Sequence, residues 1–341
     1  DPALGEAYVD KSIVIEDDNL YGLLSLFAKN IANQPDSRMS KFLAFKSKLM
    51  FWFQKSNLPT RSKKNVEHHY DLSPELYKLF LDEDQQYSCA FFQKEDDSLE
   101  QAQINKKQHI AKKLLLEPGM TVLDIGCGWG GLSLSLAKHY DVNVLGITLS
   151  EEQKLIAEAR AIREGLQDKV NFKLLDYRTD CGTFDRIVSV GMFEHVGTRN
   201  YKDYFDAIRN KLKENGIALV HTIGRMSPPG NNSPWLEKYI FPGGYTPALS
   251  EMVASVEKNY LCITDIEVWR LHYAKTLCHW HSRFTENEEQ IRQIYDDRFC
   301  RMWRYYLIAS EISFRHYQHV VFQVQITKEQ EAVPLTRNYL Y

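Results

Sequence analysis

The stretch VLDIGCGWGG (residues 122–131) decides the fold of this chain. A run of apolar β-formers ends in an acid and breaks into a turn with four glycines, and the helical segment LSLSLAKHY (132–140) follows at once. A strand, a tight turn and a helix N-terminus in this order let the backbone approach a nucleotide-like ligand closely. The alternative is a glycine-rich turn that serves packing only, and the strand–turn–helix context favours the binding site.

The spacing of the glycines indicates which ligand this turn suits. It reads D-x-G-x-G-x-G, with Asp124 before the first glycine, and it differs from the dinucleotide pattern G-x-G-x-x-G. S-adenosylmethionine has no pyrophosphate to cradle, so its turn needs room for a methionine tail and a ribose instead. The pattern therefore predicts a methyl-donor pocket.

Composition sets few further limits. The chain has 341 residues, 44% hydrophobic and 26% charged, with a net charge of −3, which is ordinary for a soluble protein of one large or two smaller domains. Its six cysteines include no C-x-x-C pair, so a zinc knuckle, a dithiol redox site or any other metal site is not expected. Reduced thiols in a cytosol are the better interpretation, and no apolar run approaches the ~20 residues of a membrane span.

From Thr121 onward strand-like and helical segments alternate, which predicts a parallel α/β sheet. The pattern matches a Rossmann-like, doubly wound sheet of the class I methyltransferase type, with a long helical insertion at about 275–317. Residues 1–64 are expected to form a small N-terminal domain and residues 65–341 the main domain. The seven predicted strands are 121–126, 143–148, 171–176, 184–190, 217–223, 262–269 and 319–328.

A basic stretch, KFLAFKSKLMFWFQKSNLPTRSKK (41–64), carries seven Lys or Arg and no acid. Phe42, Phe45, Leu49 and Trp52 recur at helical spacing, so they would line one face of a helix. Such a helix suits attraction to anionic lipid headgroups, but an aromatic stripe that packs on the core is an equal alternative. Binding of nucleic acid is the weaker third interpretation, because no known motif accompanies the charge.

Two further groups of polar residues follow predicted strands, where ligands of open α/β sheets bind. Ser150 and Gln153 form a capping box, or alternatively Gln153 and Thr148 face the ribose and methionine parts of the cofactor. Asp176 and Tyr177 end the third strand, where an acid commonly faces the adenine edge and an aromatic covers the ring.

The segment GMFEHVG (191–197) follows the fourth strand. Glu194 and His195 stand side by side there, where a general acid–base pair would be useful. The alternative is a helix N-terminus at which the macrodipole favours an acid. His221 ends the fifth strand, and only this position raises it above an ordinary core histidine.

Six motifs in chain order carry a resemblance to a known family. They make the chain resemble the cyclopropane-fatty-acyl-phospholipid synthases, which include the mycolic acid cyclopropane synthases, over most of residues 65–325. The first 60 residues resemble, more loosely, the small N-terminal domain of the bacterial enzymes in truncated form. The motifs are EHHYDLSPELYKLFLDEDQQYSCAFF (67–92), VLDIGCGWGG, GITLSEEQ (146–153), VSVGMFEHVG (188–197), HTIG (221–224) and YIFPGGYTP (239–247).

The resemblance implies a reaction. In that family S-adenosylmethionine delivers its methyl group to a cis double bond of a lipid acyl chain, and a base then removes a proton from the added methyl so that a cyclopropane ring closes. The alkene is a poor nucleophile, so the sulfonium must be held against it in a dry pocket. Aromatic faces can stabilise the carbocation. The family is understood to use bound bicarbonate as the base.

The resemblance also implies the residues of the site. Glu194 would accept a hydrogen bond from the bicarbonate, His221 and Tyr273 would donate to it, and Cys89 and Ile223 would offer main-chain contacts. The expected cofactor-binding residues are Tyr87, Ser88, Asp124, Gly126, Gly128, Thr148, Gln153, Asp176 and Tyr177.

The expected partners are unsaturated phospholipid acyl chains at a membrane surface and no nucleic acid, with a homodimer left open, for a cytoplasmic protein that associates peripherally with the membrane. One alternative is a related methyltransferase that gives a methyl-branched lipid or an N-methylated small amine without ring closure. Another is a non-catalytic lipid-binding protein on the same scaffold, which would show damaged cofactor or base positions.

Overall fold

The computed structural model describes residues 2–32 and 72–341. The basic stretch 41–64 and the predicted domain boundary after residue 64 lie outside these residues. The described helices are α1 (Pro2–Val9), α2 (Leu20–Ala32), α3 (Pro74–Phe80), α4 (Leu99–Lys113), α5 (Gly131–Tyr140), α6 (Glu151–Arg163), α7 (Tyr201–Lys211), α8 (Pro234–Tyr239), α9 (Leu249–Lys258), α10 (His272–Glu286), α11 (Glu288–Ile294) and α12 (Asp297–His316). The described strands are β1 (Thr121–Ile125), β2 (Asn143–Thr148), β3 (Val170–Leu174), β4 (Phe184–Val190), β5 (Leu212–Arg225), β6 (Cys262–Trp269) and β7 (His319–Thr327).

These strands form one sheet in the order β3-β2-β1-β4-β5-β7-β6. The first five pair in parallel, whereas β7 lies antiparallel to both β5 and β6. The predicted seven-stranded sheet of the class I methyltransferase type is therefore confirmed. The parallel pairing indicated by the alternation of strands and helices holds for β1–β5, and β7 departs from it. Trp269 at the end of β6 pairs with Val321 at the start of β7, so the helical insertion leaves and re-enters the same edge of the sheet and β7 must run back.

The sheet is covered on both faces, as the alternation of its residues requires. In β1, Leu123 and Ile125 belong to the cluster that packs against α7 and α9, and Val122 belongs to the cluster that packs against α4, α5 and α6. A third hydrophobic cluster joins α1, α2 and α3 to the helical insertion α10–α12. Layers of helix, sheet and helix result, with the insertion as an additional helical unit.

Several helices begin where a side-chain oxygen replaces a missing backbone partner. Ser73, Ser98, Ser150 and Asp296 each accept a hydrogen bond from an N–H in the first turn of α3, α4, α6 and α12. These caps fix the chain at the points where it leaves a strand or a loop. Among the described helices, none is both long and apolar enough to cross a bilayer.

Candidate active site

Two adjoining cavities open at the carboxyl ends of the strands. The glycine turn after β1 and the ends of β2, β3 and β4 line the first cavity, together with the segment before α4. All nine predicted cofactor residues border it: Tyr87, Ser88, Asp124, Gly126, Gly128, Thr148, Gln153, Asp176 and Tyr177. The structure therefore brings these residues together, and their individual roles stay predictions.

The glycine turn needs glycine for two reasons. Gly126, Gly128 and Gly130 have φ values of +82°, +54° and +81°, which side chains rarely adopt. A Cβ on Gly130 would also lie 2.7 Å from Cζ of Phe172. Gly130 caps α5, so the first N–H groups of that helix lie beside the cavity wall.

Asp124, the acid before the turn, is held in place by a hydrogen bond from α5. Its carboxylate accepts a hydrogen bond of 2.6 Å from Ser133 Oγ on α5, and it is buried. Burial raises its pKa to about 6. Asp124 thus ties the strand to the helix while it borders the cavity.

The segment after β2 combines both interpretations of Gln153. Ser150 caps α6 by accepting from the N–H of Gln153 at 3.2 Å, as predicted. The second half of the capping box is absent from the hydrogen bonds of the described residues, because the Gln153 side chain accepts from Thr148 Oγ1 at 2.8 Å instead. The N–H of Ser150 also donates to Thr148 Oγ1 at 3.2 Å. The amide nitrogen of Gln153 therefore remains as a donor at the cavity wall.

Asp176 borders the expected adenine end, but Arg178 occupies its carboxylate. Nε and Nη2 of Arg178 lie 2.7 Å and 2.5 Å from the two carboxylate oxygens. The guanidinium of Arg178 also lies over the ring of Tyr177, 5.2 Å from its centroid. Burial raises the pKa of Tyr177 to about 12, so the ring is a neutral aromatic wall. Any contact of Asp176 with adenine would share the carboxylate with Arg178.

Lys106 on α4 is a residue that sequence reasoning missed. It is fully buried, and its Nζ donates to Gln86 Oε1 at 2.8 Å and to Ser88 Oγ at 2.7 Å. Burial lowers the pKa of Lys106 to about 8. Because lysine can only donate, the Ser88 hydroxyl keeps its own proton for an acceptor in the cavity. A helical lysine among polar neighbours gives no signal in the sequence that it is buried.

The second cavity adjoins the first and contains all five predicted base-binding residues. Its lining includes Cys89, Glu194, His221, Ile223 and Tyr273. Tyr87, Ser88, Gly191 and His195 line both cavities, so a group in one can approach a group in the other there.

Glu194 has one engaged and one unengaged oxygen. Its Oε1 accepts from the N–H of Ile223 at 2.6 Å, whereas Oε2 is buried and has no hydrogen-bond partner among the described residues. Burial raises the pKa of Glu194 to about 7. The resemblance led us to expect a main-chain contact between Ile223 and bicarbonate. In the structure the N–H of Ile223 donates to Glu194 instead. His195 does not extend this pair as an acid–base partner, since burial lowers its pKa to about 4.

His221 is buried and neutral, because desolvation lowers its pKa well below the usual value. Its Nδ1 lies 3.0 Å from the amide nitrogen of Gln323 on β7. An amide nitrogen can only donate, so in this orientation Nδ1 accepts and Nε2 carries the proton. Trp269 packs edge-on against the imidazole, with ring centroids 5.1 Å apart.

Cys89 and Tyr273 complete this wall. The Cys89 thiol is buried and donates to the carbonyl of Ala90 at 3.4 Å, and burial raises its pKa, so it is no nucleophile. Tyr273 on α10 packs against Phe314 and Trp280, with centroid distances of 4.8 Å and 5.8 Å. The insertion thereby supplies an aromatic face to the second cavity.

The family model for mycolic acid cyclopropane synthetase matches residues 57–324. A cyclopropane-fatty-acyl-phospholipid synthase of Escherichia coli (strain K12) is 45% identical over 262 residues, which cover 77% of this chain and 67% of that protein. Cyclopropane mycolic acid synthase 1 of Mycobacterium tuberculosis (strain ATCC 25618 / H37Rv) is 35% identical over 265 residues, 74% of this chain and 92% of that protein.

Solved structures agree. Mycolic acid cyclopropane synthase CmaA1, complexed with SAH and CTAB, has a TM-score of 0.73 at 32% identity, over 77% of this chain and 97% of that chain. Coclaurine N-methyltransferase has a TM-score of 0.79 at 20% identity, over 96% of this chain and 99% of that chain, which shows the fold alone.

The fold and the cofactor cavity, with these relatives, define an S-adenosylmethionine-dependent methyltransferase, as predicted. The chain belongs to the mycolic acid cyclopropane synthetase family, and the resemblance carried by the six motifs is confirmed.

Proposed function

We propose that this enzyme transfers a methylene unit from S-adenosylmethionine to the cis double bond of an unsaturated phospholipid acyl chain and closes a cyclopropane ring. The observation that carries the proposal is the pair of cavities that share Tyr87, Ser88, Gly191 and His195. A methyl donor in the first cavity and an alkene in the second would meet at this shared wall, away from bulk water.

The second cavity suits an apolar acceptor and the cation that methyl addition creates. Ile223, Phe241, Tyr273 and Phe314 are among its lining residues. Aromatic faces stabilise a developing positive charge through their quadrupoles, and the apolar walls match an acyl chain. The names of the E. coli and M. tuberculosis relatives point to the same class of product.

The residues also fit a small hydrogen-bonding anion such as bicarbonate. Oε2 of Glu194 is an acceptor without a described partner, and the proton on Nε2 of His221 is a donor. We propose that Glu194 orients the anion and that His221 and Tyr273 donate to it, while Ile223 holds Glu194 in place. Bound there, bicarbonate would supply the base that takes the proton released on ring closure.

We further propose that the protein works at a membrane surface as a peripheral protein. The support is the lipid acceptor named for its relatives and the basic, aromatic composition of residues 41–64. N-methylation of a small amine is the less favoured alternative, because that reaction needs no base beside an apolar wall.

The test is the product. Purified enzyme is incubated with S-adenosylmethionine, bicarbonate and vesicles of unsaturated phospholipid, and the acyl chains are analysed by mass spectrometry after ozonolysis. We expect wild type to add one CH₂ and to make the chain resistant to ozonolysis. Glu194→Gln should lose at least a hundredfold in rate, on the order of a lost acid–base function.

Glu214→Gln is the matched control, because Glu214 is exposed on β5, pairs with Lys328 and lines neither cavity. It should retain the wild-type rate. A wild-type product that gains CH₂ but stays sensitive to ozonolysis would contradict ring closure. No gain of mass in an enzyme that binds S-adenosylhomocysteine would contradict the lipid acceptor.

A further inference from the structure

The second cavity has a polar end that the proposed reaction does not use. His221, Ile223 and Arg225 alternate along β5, face the same side and all line this cavity. Four residues of strand span about 13 Å, so Arg225 lies that far from the reacting end. The lining near Arg225 includes the exposed Ser233 and Tyr317, so this end of the cavity opens to solvent.

Arg225 is a buried cation with neutral partners only. Its Nε donates to the carbonyl of Thr246 at 3.0 Å, and its Nη2 lies 3.1 Å from Asn232 Oδ1 and 3.5 Å from the carbonyl of Asn231. It forms no ion pair with any residue in 2–32 or 72–341, and it is 8% exposed. Burying a charge without a counter-charge is costly, and an anionic ligand would offset that cost.

The hydrogen bonds of Arg225 also aim its planar group. They hold two of its three nitrogens against the segments on either side of α8, and they leave Nη1 without a hydrogen bond to any described residue. A guanidinium fixed in this way presents its remaining donors in one direction. Such a guanidinium binds the oxygens of a tetrahedral anion in a more defined geometry than the ammonium group of a freely moving lysine.

His319 provides a second group at the same place. It pairs with Arg225 across β5 and β7, and it also lines the cavity. Its Nδ1 is buried and has no hydrogen-bond partner among the described residues. Burial, with a smaller contribution from Arg225, lowers its pKa to about 4, so the ring is neutral, and a hydrogen bond with the backbone of Ser313 acts in the opposite direction. Nδ1 is then the ring atom left for a ligand, and it donates in the tautomer that carries its proton there.

The remaining polar lining of this end is mostly neutral. The hydroxyls of Ser310 and Ser313 on α12 border it, and Glu237 on α8 is its one carboxylate among the cavity-lining residues away from Glu194. Glu251 acts on Arg225 through its charge without forming an ion pair with it, and its carboxylate accepts from the N–H of Ala248 at 2.9 Å and from the hydroxyl of Tyr245 at 2.8 Å. The charge of Glu251 therefore offsets only part of the cost of burying Arg225, whose pKa burial still lowers.

We infer that Arg225 and His319 bind the phosphodiester group of the lipid whose acyl chain occupies the inner part of the cavity. This inference rests on the proposed function. A bilayer has a hydrocarbon core of about 30 Å within a total of about 40–45 Å, which puts the middle of an acyl chain about 10–15 Å from the phosphate layer. The roughly 13 Å of strand between His221 and Arg225 falls in this interval, so a mid-chain double bond at His221 would bring the phosphate to Arg225.

The test measures binding rather than reaction. Dihexanoyl phosphatidylglycerol, which has no double bond, is titrated below its micelle concentration into enzyme loaded with S-adenosylhomocysteine, and heat is recorded. We expect wild type to bind it and Arg225→Gln to bind at least about tenfold more weakly, as for a lost charge-assisted hydrogen bond. Arg163→Gln, at an exposed site on α6, is the control for net charge and should match wild type.

Two further variants keep the test decisive if Arg225→Gln fails to fold, which its binding of S-adenosylhomocysteine would reveal. Arg225→Lys keeps the charge but loses the planar fork, and His319→Phe removes the second group, so each should weaken lipid binding. Equal binding by wild type and these variants, or no binding by wild type, would overturn the inference.

Inorganic phosphate distinguishes the source of the anion. If it binds in an Arg225-dependent way and dihexanoyl phosphatidylglycerol does not, the site takes free phosphate and the assignment to a lipid is wrong. Because neither probe can react, these results are independent of the proposed reaction. A wild type that binds the short lipid but makes no cyclopropane would contradict only the proposed function.

Discussion

At the scale of single residues, the buried carboxyl of Glu194 lowers the stability of the folded protein when it is ionised, and it supplies an acceptor for the proposed reaction. Its carboxyl is buried, one oxygen is held by the N–H of Ile223, and the other has no described partner. Desolvation raises its pKa to about 7 from an ordinary 4.5. A surface glutamate would be ionised at every physiological pH, so the tertiary environment alone makes this one titrate near neutrality.

This shift predicts a pH-dependent stability. Between pH 4.5 and 7 the folded state binds more protons at Glu194 than the unfolded state, so the free energy of unfolding falls as the pH rises, by about 3 kcal/mol from this group. Glu194→Gln removes the titration but keeps an oxygen for Ile223. We expect the ligand-free variant to gain stability over wild type as the pH is raised from 5 to 8, measured by urea unfolding.

The exposed Glu214→Gln serves again as the control, and its difference from wild type should not change with pH. A Glu194→Gln variant that is less stable than wild type at pH 8 would show that the buried carboxylate is stabilised by partners in a way that its surroundings do not suggest.

At the scale of elements, the glycine turn and strand β2 both pack against the ring of Phe172. Phe172 on β3 lies over β2 and the turn, where an added Cβ on Gly146 would be 2.6 Å from its Cδ1 and one on Gly130 would be 2.7 Å from its Cζ. The glycines therefore make room for the ring as well as for a ligand. The strand–turn–helix order was readable from the sequence, but the ring above it was not.

This packing predicts coupling between two positions. Gly146→Ala should reduce the free energy of unfolding by about 1–3 kcal/mol, because the strand backbone tolerates alanine but the added methyl overpacks against Phe172. In a Phe172→Leu background the cost of the same change should be smaller. Urea unfolding of the four proteins gives the coupling energy.

Gly119→Ala would be a poor control because its φ is +83°. The half-buried Ser135→Ala on α5 is the better one, because Ser135 is not among the nearest atoms that an added Cβ on Gly130 or Gly146 would meet. Equal costs of Gly146→Ala in both backgrounds would contradict the contact with Phe172.

At the scale of the whole molecule, the two cavities are built from segments far apart in the chain. The segment 85–88, the turn 126–131 and the loop 191–196 meet around the first cavity, and the second adds the end of β5 and the helical insertion. Buried donors such as Lys106 fix the first of these segments from α4. The site is therefore a property of the assembled fold.

This arrangement predicts which parts of the chain respond to the cofactor. S-adenosylhomocysteine should slow amide hydrogen exchange in 85–88, 126–131 and 191–196, because a bound ligand stabilises the segments that contact it. Exchange in β6 and β7 should change little, because no residue of either strand lines the first cavity. Hydrogen exchange followed by mass spectrometry measures both; protection confined to β6 and β7 would place the cofactor elsewhere.

The sequence by itself determined the seven strands, the glycine turn and the helical insertion, because these follow from short-range patterns of apolar residues and glycines. The resemblance carried by its six motifs also indicated fourteen of the residues that border the two cavities. Only the tertiary structure decided the reversed direction of β7, the turn of Gln153 towards Thr148, the burial of Lys106 and the pairing of Ile223 with Glu194. The physical reason is that hydrogen-bond partners and desolvation arise between residues distant in the chain. They appear only when the chain has closed around them, and they set the charges on which the proposed chemistry depends.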